Sequence, residues 1–386
     1  MQRHLRRMGQ TLMRTVLHDF DEELVEPLVL ASNTELRGAR VRLGPSFANG
    51  WQQPAGKDNR GEFGVVRVKP GAENVIVENS RIEGPPEDWW NAKLADQQGF
   101  IWAHAARGIQ VVETTGVVLS NVRVSSFPAE GIYTHDNHNL SILDCRVERC
   151  NAGLAIEWPR GRGNQGILVD GLDVTDTWAV AGRNAIGKSI LRPGGMVGAN
   201  FMHGAGLVRS TIRRVRCTGE GKGIKFYQCA GLELVDLRTP HLWLGGAYAT
   251  PVTPTWKGPL QANGYSVHDS VIGESTFGFS VEKSSDPITL QTSMLIDDEL
   301  LVERCVLLTP RPGPLFAPWQ PPTGVTGWRF QVVQATGGMR VRLRDCRMID
   351  LNPTGTEPTW GYADAASAIV EERVTRETIR PQWQAP

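Results

Sequence analysis

The chain has 386 residues, with 41 Lys and Arg against 41 Asp and Glu, and so carries no formal net charge. That balance argues against a nucleic-acid partner, whose phosphates favour a basic face. An apolar content of 40% supports a packed core, and 42 glycines with 24 prolines suit short strands and turns better than helices.

The chain opens on MQRHLRRMGQTLMRTVL, a basic run in which Gln10, Thr11 and Arg14 interrupt any signal-peptide core. An organelle transit peptide is the alternative reading of this segment. Leu5, Met8, Leu12 and Val16 stand at helical spacing and predict a short capping helix within residues 1–24. With no signal peptide seen, the expected setting is the cytoplasm or an assembling phage particle, with action outside the cell if the chain degrades a polymer. No apolar stretch is long enough to span a membrane, and no membrane partner is expected.

From residue 25 to 350 one phrase recurs: alternating apolar residues, a polar or small turn residue, then apolar again. It reads TELRGARV from Thr34, VIVENSRI from Val75, VVLSNVRV from Val117, LSILDCRV from Leu140 and ILVDGLDV from Ile167. It continues as LVRSTIRR from Leu207, LELVDLRT from Leu232, YSVHDSVI from Tyr265, LLVERCVL from Leu300 and VRLRDCRM from Val341. Period-two alternation means strand, and spacings of 23 to 42 residues fit a solenoid whose longer coils extrude loops. A second, glycine-opened strand precedes many phrases, as in GIQVVETTGV from Gly108, GIYTHDNHNL from Gly131 and GIKFYQCAGL from Gly223. GLAIEW from Gly153 and GANFMHGAGL from Gly198 fit the same frame.

This pattern resembles the right-handed parallel β-helix of the pectate-lyase superfamily, which includes polysaccharide lyases, glycoside hydrolases, uronan epimerases and phage tailspikes. The resemblance implies an all-β, single-stranded helix of about ten coils over residues 25–350. Open strand edges must be covered, so residues 1–24 and 351–386 are expected to supply short helical caps, the second over Tyr362–Arg380. Cys145, Cys305 and Cys346 share one repeat position and predict a buried stack of reduced thiols. The six cysteines have no CxxC spacing, so no zinc site is expected.

Strand parity places Tyr133 and His135 outward in GIYTHDN, with Ile132 and Thr134 inward. The same frame turns outward Arg67 and Lys69, Gln110 and Val112, Ala155 and Glu157, Asn200 and Met202, Lys225 and Tyr227, Ser280 and Glu282, and Arg329 and Gln331. Asp136, Trp158, His203 and Gln228 form one further column. Stacking gathers Tyr133, His135, Asp136, Glu157, Asn200, His203, Lys225 and Tyr227 on one surface, where the resemblance implies a polysaccharide site.

For elimination from an acidic polysaccharide, the leading reading, Lys225 is the base and Tyr227 or His135 the proton donor. Arg160 and Arg162 would clamp a substrate carboxylate. For hydrolysis, the alternative, Asp136 and Glu157 are the two acids on adjacent rungs, with Glu282 farther along. Trp89, Trp90 and Trp158 supply flat sugar-binding surface, and Trp102, Trp178, Trp243 and Trp256 are assigned to other inserts. No cofactor is expected, although calcium would suit the oxygens of Asp136 and Glu157. The family's diagnostic strings differ: WPRGRG from Trp158 lacks the arginine-proline-arginine spacing of pectate lyases, and THDNH from Thr134 resembles the epimerase motif in a different order. A spike-like homotrimer or a structural, adhesive monomer without catalysis are the remaining readings.

Overall fold

Each phrase folds as two short strands that meet at its fifth residue. That residue takes the left-handed conformation at Asp19, Gly38, Asn79, Asn121, Asp144, Gly171, Arg214, Asp236, Asp269, Arg304, Asp345 and Arg373. A single left-handed residue turns the chain sharply, and Gly, Asn and Asp tolerate it best. The arginines at this corner are tied to acids on neighbouring rungs. Arg304 gives Asp269 two hydrogen bonds, at 2.7 and 2.8 Å, which hold the Asp269 carboxyl down at about 2. Arg214 bonds Asp144 and Asp170, and Arg373 bonds Asp345.

The computed structural model describes residues 14–44, 64–86, 106–157, 163–183, 189–193, 201–219, 223–227, 229–240, 242–245, 265–273, 279–282, 299–308, 331–336, 340–350, 359–363 and 365–379. Among them, 31 strands join one sheet in which every pairing is parallel, and each strand bonds its counterpart one coil away. A separate antiparallel pair, Trp178–Arg183 with Ser189–Pro193, belongs to an insert. The inward positions stack into a continuous apolar core, illustrated by Ile109, Ile132, Leu154, Met202, Ile224 and Leu242 on six successive rungs. Burying each such side chain contributes about 1.5–3 kcal/mol.

The described ends are strands, so the expected helical caps are not seen. Thr15–His18 and Asp21–Leu24 form a further copy of the phrase, with Val16 in a strand. Leu5, Met8 and Leu12 lie outside the described residues. At the other end Thr359–Ala363, Ala368–Glu372 and Thr375–Thr378 each pair with the coil before. Tertiary pairing overrides the helical propensity of the Ala- and Glu-rich segment because the preceding coil offers an unsatisfied strand edge.

The phrase assigned to Leu207 is also shifted. Leu168 pairs with Thr211, and Arg214 makes the corner, so the true copy is STIRRVRC from Ser210. Cys145, Cys305 and Cys346 are each buried just after the corner and unpaired covalently, but only Cys305 and Cys346 are neighbours, since Cys145 pairs with Leu172. Burial pushes the Cys145 thiol up to about 11.

Candidate functional site

The glycine-opened strands form one sheet of the coil, and their packing explains the glycines. Gly131 lies where a Cβ would stand 2.3 Å from Val147 Cγ1, 3.2 Å from Cys150 Sγ and 3.2 Å from the Gly153 carbonyl. Gly108 and Gly153 are equally crowded, by Val124 and Val174. Only a bare Cα lets the chain turn from the preceding strand into this one so tightly.

Register then fixes the outer face. One column runs Arg67, Gln110, Tyr133, Ala155, His203, Lys225, Trp243, Ser280, Gln334 and Tyr362. A second, two residues on, holds Val112 and His135, then Ala205, Tyr227, Gly245, Glu282 and Thr336. Glu157 enters this column after Ile156, its N–H bonding the Thr134 carbonyl.

Two rungs depart from the sequence reading. Met202 pairs with Leu154 and Ile224 and is buried inward, so His203, not Met202, faces out. The frame assigned to Gly198 was one residue out of phase. Phe279–Glu282 pairs with Val333–Thr336, where Val333 and Ala335 are buried, so backbone register gives the two columns to Gln334 and Thr336 where Gln331 was expected, and Arg329 lies outside the described residues. A rung was also missed: Trp243, assigned to an insert, sits in the strand Leu242–Gly245. Its LWLG has only two inward apolar residues and no opening glycine, a weak signal in sequence alone.

Burial divides the face in two. Tyr133, expected on an open surface, is 1% exposed and packs with Val112 and Ala155. The Arg107 guanidinium stacks 3.9 Å from its ring centroid and bonds Glu130 at 2.6 Å. Burial opposes the Arg107 charge, but Glu130 and other neighbours outweigh it and raise the pKa. His135 packs edge-on to Tyr133 at 5.8 Å and is also buried. Asp136, 1% exposed, accepts the Gly163 N–H at 2.7 Å and lies 3.1 Å from His135 Nδ1. Neither Arg107 nor Glu130 was singled out in the sequence, because their meeting depends on coil register.

The other half is more open. His203 Nε2 lies 3.3 Å from Glu157 Oε1, with side chains 21% and 27% exposed. Burial opposes the His203 charge, yet the Glu157 hydrogen bond and charge prevail, and the pKa is raised. Asn164, fully buried, gives its amide to the carbonyls of Glu157 and Ala205, fastening these two rungs together. One rung beyond His203, the Lys225 ammonium stands 4.2 Å over the Trp243 ring, and Tyr227 meets that ring edge-on at 5.6 Å. His203 Nδ1 and Trp243 Nε1 are buried atoms with no hydrogen-bond partner among the described residues.

Glu282 lies in the Tyr227 column by backbone register. Trp89, Trp90, Trp158, Arg160, Arg162, Asn200 and Gln228 lie outside the described residues. No group of three metal-ligating side chains occurs among the described residues.

A family model described as a right handed beta helix region matches residues 59–175. The chain is a right-handed parallel β-helix. This β-helix superposes on DFA-IIIase from Arthrobacter chlorophenolicus A6, without its lid and in complex with GF2, with a TM-score of 0.50. Identity is 12%, covering 96% of this chain and 88% of that one. Endo-xylogalacturonan hydrolase from Aspergillus tubingensis gives 0.47 at 9% identity, covering 94% and 82%. The catalytic unit of a thermostable α-1,3-glucanase from Streptomyces thermodiastaticus gives 0.45 at 13%, covering 95% of this chain. The β-helix spans 64% of that catalytic unit. A comparison with curated protein sequences finds no match.

Proposed function

We propose that this β-helix is a carbohydrate-active protein whose outer face at Glu157, His203, Lys225, Tyr227 and Trp243 hydrolyses a glycosidic bond in a polysaccharide. The observation that carries the reading is the partly exposed Glu157–His203 pair, a carboxylate and an imidazole 3.3 Å apart. Beside it, Trp243 and Tyr227 offer apolar ring surface for a pyranose, and unsatisfied His203 Nδ1 and Trp243 Nε1 are polar atoms that call for an outside partner. A fold hosts many chemistries, so the argument rests on this face and not on the superposition.

In this assignment His203, held by Glu157, supplies a proton to the leaving oxygen, while the water attacking from the opposite face of the sugar gives its proton to solvent. The glycosidic bond breaks and the anomeric carbon gains the hydroxyl. Asp136, buried beneath two hydrogen-bonding neighbours, orients His135 and does not act as the second exposed acid. Lys225, the base of the elimination reading, is engaged over Trp243 as a cation, an arrangement suited to binding a substrate anion.

The test is a screen against neutral and acidic polysaccharides, reading new reducing ends and the ultraviolet absorbance of unsaturated uronate together. Reducing ends without absorbance, lost in Glu157→Gln, are the expected result. Absorbance rising with reducing ends, and lost in Lys225→Ala, would overturn hydrolysis in favour of elimination. Silence in both signals would favour a non-catalytic, adhesive β-helix.

A further inference from the structure

A different sheet of the coil carries an unusual column. Just past the corner, on consecutive rungs, Arg40 pairs with Arg81, Arg81 with Arg123, and Arg123 with Arg146. Their side chains face outward and are exposed, while Val41, Ile82, Val124 and Val147 between them and the next column are buried. The row is closed at both ends by acids, Asp21 before Arg40 and Asp173 after Arg146.

Like charges directly opposite on neighbouring strands destabilise a sheet, so four arginines in register need a reason. Local neutralisation is incomplete. Glu83 serves Arg40, and Glu148 serves Arg123, Arg146 and Arg149 together. Glu83 and Glu148 thus serve four guanidinium groups between them, with Asp21 and Asp173 only at the ends of the row, and Arg81 makes no ion pair or hydrogen bond with a described residue. Farther along the same edge the balance is different. Asp236 takes Arg216, Asp269 takes Arg304, Asp345 takes Arg373 and Glu377 takes Arg347. Arg238, in register with Arg216 on the same column, also makes no ion pair with a described residue, so what sets the four rungs apart is their unbroken run of arginines.

We infer that the Arg40–Arg81–Arg123–Arg146 column is a binding surface for an acidic polysaccharide with one carboxylate per sugar, lying along the helix axis. The rungs repeat at about 4.8 Å, close to the length of one pyranose unit, so successive carboxylates can each meet a guanidinium fork. Beside the row, the Asn79 and Asn121 amides, linked at 2.7 Å, offer further polar groups for sugar hydroxyls. A nucleic acid fits less well. The strand segments that open on these arginines, Arg40–Leu43, Arg81–Glu83, Arg123–Ser125 and Arg146–Glu148, carry no aromatic side chain for base stacking. The surface is separate from the Glu157 face and does not depend on hydrolysis there.

The probe is a fluorescent oligogalacturonate of defined length, with neutral dextran and a single-stranded oligonucleotide of equal charge as comparisons. Arg81→Gln and Arg123→Gln should each weaken oligogalacturonate binding roughly tenfold, with the melting curve unchanged. Hydrogen-exchange protection on binding should fall on Arg81–Glu83 and Arg123–Ser125, and Glu157→Gln should leave the affinity as it is. Unchanged affinity in the Arg81→Gln/Arg123→Gln double variant would overturn the inference, as would tighter binding of the oligonucleotide. Protection found only on Met202–Tyr227 would also overturn it, without bearing on the hydrolytic reading, whose own readout is reducing ends.

Discussion

Replacing Gly131 with alanine tests the close packing that holds the site strand. The new methyl carbon would stand 2.3 Å from Val147 Cγ1 and 3.2 Å from both Cys150 Sγ and the Gly153 carbonyl. Optimal carbon contacts lie near 3.5–4.0 Å, so the first contact alone requires a shift of about 1 Å. Val147 is fully buried between coils and Cys150 is buried beside it, leaving no solvent side toward which to yield. Overpacking of this kind costs about 1–3 kcal/mol. In a solenoid each coil is supported by its neighbours, so the lesion should be local. Hydrogen–deuterium exchange read by peptide should show lost protection in Arg107–Val112, Gly131–His135 and Gly153–Ile156, with Glu299–Glu303 and Arg340–Arg344 unchanged. Because Tyr133 and His135 follow on the same strand, their displacement should lower activity as well. Unaltered protection around Gly131, or a uniform loss along the whole rod, would refute the packing argument.

Two further outcomes follow from the site's charges. The raised His203 pKa means that its pairing with Glu157 stabilises the folded protein below the unfolded histidine value, near 6.5, and that this is lost as pH rises through the folded value. Glu157→Gln should therefore lower the His203 pKa measured by NMR, and an unmoved titration would dissociate the pair. Glu130→Gln removes the counter-charge from an Arg107 guanidinium that is 2% exposed. Breaking a buried pair from one side costs about 3–5 kcal/mol, to be read as a lower urea midpoint, and a loss below about 1 kcal/mol would mean that the pair behaves like a surface one.

The repeat was legible because the corner and the inward positions are local requirements. An αL residue needs Gly, Asn or Asp, or an arginine anchored by a neighbouring acid, and a coil interior needs alternating apolar side chains. Both appear in the sequence at fixed offsets, as in LSILDCRV and VRLRDCRM. The outward placement of His135, Lys225 and Tyr227 followed from the same alternation. Where a local marker was weak, phase was lost: Gly198 suggested a frame one residue from the true one, and LWLG passed for a loop. At the ends, Thr15–His18 and Ala368–Glu372 carry helical or ambiguous patterns that only a neighbouring strand edge converts into strand.

Alternation says which side chains leave the core, but not which of them meet. The Arg107–Glu130–Tyr133 assembly, the Glu157–His203 pair and the Arg40–Arg146 column each join residues from successive coils of unequal length. Loop length sets their sequence separation, while coil-to-coil hydrogen bonding sets their distance. The sequence by itself therefore determined the solenoid, its corners and its inner and outer faces. Tertiary register alone decided which outward groups are buried, which pair with one another and which stand without an ion-pair partner, because those properties depend on neighbours one rung away.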